Sequence, residues 1–146
     1  MPLLTALMLA ACSSPQSPAP WKSSSSGASG GSLPSASSAR SWDQFKRQAA
    51  QRMVAATPSG SYTGTPPEIL LAIPVLEIEA NADGSVRRIN VLRQPSQAKD
   101  TTQLAIDAVR RAAPFGDMSR LPRPWVFTEA FLFDDQRRFK PRSLED

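Results

Sequence analysis

From Trp42 onward the chain is built of short stretches with a regular apolar period, each closed by proline, glycine or a run of polar residues. Trp42, Phe45, Ala49, Met53 and Ala56 recur at helical spacing, with Lys46, Arg47, Gln48 and Arg52 on the other side, which predicts an amphipathic helix ended by Pro58. Ser41 stands where an N-cap belongs, Asp43 suits the positive end of the helix dipole, and Gln44 completes a capping-box pattern. The Pro-, Gly-, Ser- and Thr-rich stretch from Thr57 to Pro67 reads as a surface loop. Ile73 to Asn81 then alternates, with Leu76, Ile78 and Ala80 on one face and Val75, Glu77 and Glu79 on the other. This is the period of a half-buried strand. Asn81-Ala82-Asp83-Gly84 supplies turn residues, and Val86 to Arg93 returns with Ile89 and Val91 on one face, so the pair reads as a β-hairpin.

Asp100 is placed to N-cap a second helix over Thr101 to Ala113, whose stripe of Ala105, Ile106, Val109, Ala112 and Ala113 permits close approach to a sheet before Pro114 ends it. Trp125 to Phe133 sets Trp125, Phe127, Phe131 and Phe133 on one side and Val126, Ala130 and Leu132 on the other, a strong strand signal. The tail from Asp134 carries Arg137, Arg138, Lys140 and Arg142 close together and is expected to be solvated. The elements give an α+β fold of order α-β-β-α-β, with the helices packed on a small antiparallel three-stranded sheet.

The first 41 residues have a different pattern. Pro2 to Ala11 is apolar and ends at Cys12, followed by Ser13, Ser14 and Pro15. A bilayer span needs about 20 apolar residues, whereas a secretory signal needs only about 7–15 ahead of small residues at the cut. Residues 1–11 therefore read as a signal peptide. Leu9-Ala10-Ala11-Cys12 resembles the bacterial lipobox, which implies a lipid on the Cys12 thiol and, with serine following, a periplasm-facing outer-membrane anchor in the bacterial cell envelope. The alternatives are an ordinary signal with a coincidental cysteine, a buried N-terminal helix, or a start upstream of Met1, which would turn the apolar run into a longer anchor. Between Ser13 and Ser41 stand 13 serines and, as large apolar residues, only Trp21 and Leu33. Such a segment buries too little surface to offset ordering, so residues 12–41 are expected to be a lipidated cysteine and a disordered linker. Its 29 residues have a reach of roughly 30 Å. Residues 42–146 form the folded domain.

Composition narrows the chemistry. With no histidine and one cysteine, the chain cannot assemble a Ser-His-Asp or Cys-His catalytic set, a His/Cys zinc site or an internal disulfide. No cofactor motif and no metal-ligand spacing is present. The net charge of +4 arises after Ser85 and implies anionic neighbours without naming them. Arg87, Arg88, Arg93, Arg110 and Arg111 are candidates for weak contact with anionic lipid or peptidoglycan, while export and the small charge excess argue against nucleic acid. Glu77 and Glu79 share a strand face as a catalytic acid and base would, and exposed alternation places the same pair there without chemistry.

The stretch from Pro74 to Arg93, followed by Leu104 to Phe115, resembles the TonB/TolA C-terminal domain family. Val86, Ile89 and Val91 match a Val-x-x-Val-x-Val strand after an Asp-Gly turn, and Val109, Arg110, Arg111, Pro114 and Phe115 match a helix with a basic pair before Ala-x-Pro-Phe. The family's Tyr-Pro and Ser-Ser-Gly motifs are replaced by Tyr62-Thr-Gly-Thr-Pro66 and Pro95-Ser-Gln-Ala-Lys99. The resemblance implies a non-enzymatic module that captures an extended segment of another envelope protein by strand addition. Trp125, Phe127, Thr128, Glu129 and Phe131, on the last strand and so on an expected sheet edge, are the partner-binding candidates. Energy-coupled outer-membrane transport is the alternative within the family, and an unrecognised hydrolase lies outside it.

Overall fold

The structure, a computed structural model, describes residues 33–34 and 38–145. Cys12, the expected signal peptide and most of the expected linker lie outside those residues. The chain runs α1 (Trp42–Ala56), β1 (Val75–Ala80), β2 (Val86–Arg93), α2 (Asp100–Ala112), β3 (Val126–Phe133) and β4 (Phe139–Pro141), with single 3-10 turns at Pro58–Gly60 and Arg142–Leu144. The sheet is antiparallel in the order β2-β1-β3-β4. It has four strands rather than the expected three. The fourth comes from the tail expected to be solvated, and its physical basis is local. Asp134 Oδ1 accepts from the backbone N–H groups of Gln136 and Arg138, closing a tight turn. Phe139 is thereby returned beside Phe133 and Phe131, and its ring is buried at 5.8 and 5.3 Å from theirs.

Each helix forms for reasons visible in its first turn. Ser41 Oγ accepts from the Gln44 N–H at 3.2 Å, and Gln44 Oε1 accepts from the Arg40 N–H at 3.0 Å, a close variant of the reciprocal capping box. In α2 the expected cap at Asp100 is instead the first helical residue. Lys99 occupies the cap position without a side-chain bond, and Asp100 pairs with Arg137 at 2.7 Å. α1 also carries a buried arginine. Arg52 donates from Nε to Ala112 O at 3.0 Å and to Pro34 O, placing its charge on the carbonyl end of α2, where the helix dipole favours a cation.

Both helices cover one face of the sheet. Leu76, Ile78 and Ala80 of β1 join Phe45, Ala49 and Met53 of α1 and Ala105, Ala108, Val109 and Ala112 of α2 in one buried cluster. Small side chains on α2 let that helix lie close to α1, while Phe45, Phe115 and Phe127 fill the space under α1 edge to face at 5.0–6.3 Å. The opposite face, with Val75, Glu77 and Glu79, is half exposed. Packing begins ahead of Trp42, because Ala39 is fully buried and Ser38 Oγ donates to Asp117.

The hairpin between β1 and β2 is docked as well as turned. Gly84 has φ +82°, and its carbonyl accepts from the Phe115 N–H at 2.9 Å. Ala82 O accepts from the Met118 N–H at the same distance. A Cβ on Gly84 would run into the backbone of Gly116, so glycine is required both by conformation and by the closeness of that neighbour.

Candidate interaction edges and cavity

A sheet edge can bind only where backbone donors and acceptors are unpaired. β4 does not offer one, because Ser61 bridges Phe139 and the Tyr62 N–H donates to Phe139 O. The loop expected at Thr57–Pro67 thus has a structural role, shielding this side. β3 lies between β1 and β4, contrary to the expectation that the last strand is an edge. β4 pairs with Phe131–Phe133, and the 3-10 turn after it sits against Glu129, leaving Val126–Ala130 without a strand on that side among the described residues.

β2 is the outermost strand and runs for eight residues. On β1 the Ala80 N–H and Pro74 carbonyl point to β3 and the Asn81 N–H points to the hairpin partner, which assigns the odd-numbered residues of β1 to β2. Glu77 and Glu79 therefore exchange bonds with Asn90 and Arg88, and the N–H and C=O of Ile89 and Val91 point outward. Val91 and Leu92 are 43% and 54% exposed, and Arg87, Arg88 and Arg93 are exposed beside them.

The five residues expected to bind a partner do not share one surface. Phe127 and Phe131 are core, Trp125 is half-buried with its indole N–H donated to Leu121 O, and Thr128 is exposed on the opposite face. Glu129 shares the parity of the phenylalanines and is 2% exposed. Its Oε1 accepts from the Ser143 N–H at 3.0 Å and its Oε2 has no partner. Desolvation raises its pKa against the opposing pull of the Ser143 hydrogen bond and of Lys46.

Glu77 and Glu79 lie on the sheet's open face, the first accepting from Asn90 Nδ2 at 3.1 Å and the second 4.0 Å from Arg88. No grouping of three or more His, Cys, Asp or Glu able to hold a metal occurs among the described residues, and among them no helix is long and apolar enough to cross a membrane. Comparison with protein-family models, curated proteins and solved structures finds no match. The functional reading therefore rests on this geometry. A concavity of about 600 Å³ lies where β1 ends and β3 begins, and two of the residues facing it, Arg87 and Arg123, were not grouped by the sequence. The Arg123 guanidinium lies 4.4 Å from the centre of the Trp125 ring. An arginine two residues before a tryptophan on a strand start was the available signal.

Proposed function

We propose that the domain is a protein-interaction module that receives an extended segment of an envelope protein by strand addition along β2. The observation that carries this reading is the outermost position of an eight-residue strand whose Val91 and Leu92 remain exposed. Main-chain bonds to Ile89 and Val91 supply affinity, and the alternating side chains on either face supply selection. The resemblance to the TonB/TolA C-terminal domain supports the same kind of capture, with the receiving edge moved from β3 to β2. In this reading Cys12 carries the lipid and the residues between it and the packed stretch that begins at Ser38 tether the module to the outer membrane.

The test uses the full chain in its own envelope, with a photo-crosslinking residue at Leu92, at Thr128 or at the 87%-exposed Ile69. A discrete adduct forms from Leu92 and is lost in Ile89→Pro, which removes an outward N–H and leaves the β1 pairing intact. Val91→Lys, which blunts the edge without touching the backbone, also abolishes it. Adducts of equal yield from Ile69, or retained in both variants, refute strand addition at β2. Radiolabelled palmitate entering wild type and not Cys12→Ala checks the tether.

A further inference from the structure

The concavity at the junction of β1 and β3 combines charge and apolar surface in a way that strand addition does not use. Ala80, Pro124 and Val126 contribute apolar surface to its lining. Trp125 forms one wall, held in place by the bond from its indole N–H to Leu121 O at 3.1 Å. Arg123 lies over that ring, so its guanidinium is oriented before any ligand arrives, while the edges of its fork remain free. Arg87 faces the same space, and neither arginine forms an ion pair within the described residues. Glu79 also faces it and meets a cation, Arg88, only at 4.0 Å.

We infer that this concavity binds the free carboxyl terminus of a short peptide ending in small apolar residues. Arginine presents parallel N–H groups that match a carboxylate, and a stacked arginine loses little side-chain freedom in making the pair. Glu79 decides the charge and shape of the ligand. Its carboxylate opposes a dianion such as phosphate more strongly than a single carboxylate, and it can accept from an N–H donor, which the last peptide amide supplies. The apolar lining suits small apolar side chains, and the volume of about 600 Å³ is in the range of small-ligand sites.

The experiment follows the Trp125 indole N–H by nitrogen-proton NMR in the full chain, with its resonance assigned from Trp125→Phe. Acetyl-Ala-Ala with a free carboxylate is expected to shift it saturably, and the same peptide with a C-terminal amide leaves it in place. Arg123→Gln and Arg87→Gln, both at exposed positions, weaken binding at least tenfold, with unchanged amide spectra elsewhere showing that the fold is kept. Equal binding of the amide peptide, unaltered binding by both variants, or no saturable shift overturns the assignment. Tighter saturation by inorganic phosphate than by the peptide overturns it too, making the cavity a phosphate site.

Discussion

Replacing Phe127 by alanine separates the two roles this residue can have, a partner contact or a piece of the core. Its ring is 3% exposed and meets Phe45 at 5.0 Å and Phe115 at 5.8 Å, both nearly edge to face. Truncating a buried phenylalanine to alanine costs about 3–5 kcal/mol. Each aromatic pair adds about 0.5–1.5 kcal/mol beyond area burial, which places this site in the upper half of that range. A domain of this size has a total stability of roughly 5–15 kcal/mol, so the loss is a large share of it. With a urea dependence of about 1.5 kcal/mol per molar, a loss of about 4–5 kcal/mol lowers the unfolding midpoint by roughly 3 M. Thr128→Ala, one residue along on the exposed face, changes stability by less than about 0.5 kcal/mol and is the matched control. Urea titration of both variants by tryptophan fluorescence and circular dichroism reads the difference. If Phe127→Ala unfolds within about 1 kcal/mol of wild type, the ring does not belong to the core and the packing of α1 on β3 is wrong.

Gly84→Ala, at φ +82° and with its new Cβ overlapping the Gly116 backbone, destabilises by more than about 1 kcal/mol in the same titration, and an unchanged midpoint refutes the docking of the hairpin on Phe115 and Met118. Glu129, with its pKa raised by burial, contributes stability that is complete below the ordinary glutamate range and is lost as pH rises through its folded value. Thermal unfolding followed upward from pH 4.5 shows that decline in wild type and not in Glu129→Gln, and a parallel decline in both removes Glu129 as its cause. Asp83 and Asp117, held low by hydrogen bonds from Ser85 and Ser119, act in the opposite direction, so their stabilisation is lost only as pH falls below the ordinary aspartate range and does not obscure the Glu129 limb.

The faces of the elements were legible because each is amphipathic by itself. Leu76, Ile78 and Ala80 are buried as their alternation requires, and α1 is capped by Ser41 and Gln44 as its first turn requires. What failed was neighbourhood. β4 is three residues long, with Phe139 its one large apolar side chain, and it exists because the Asp134 turn returns that ring to Phe131 and Phe133. No period can emerge from three residues, so the tail read as a charged, solvated run. Glu129 was different: strict alternation already placed it with Phe127 and Phe131, and its charge concealed its burial.

The misplacement of the edge follows from the same short strand. Once Phe139–Pro141 pairs with Phe131–Phe133, β3 becomes interior over that stretch, Val126–Ala130 alone of β3 keeps an open side, and the longest open edge among the described residues is that of β2. A sign of this was present in charge rather than in hydrophobicity. Arg87, Arg88 and Arg93 fall within eight residues of β2, and charged side chains on an outer strand are a recurrent defence against unwanted pairing. They also discriminate between occupants of that edge. A second β2 laid antiparallel along the first sets arginine near arginine, and like charges facing across strands are destabilising. On the proposed strand addition, an extended segment carrying acidic residues at alternate positions would meet no such opposition, so the charge that opposes self-association is compatible with a different, acidic chain on that edge.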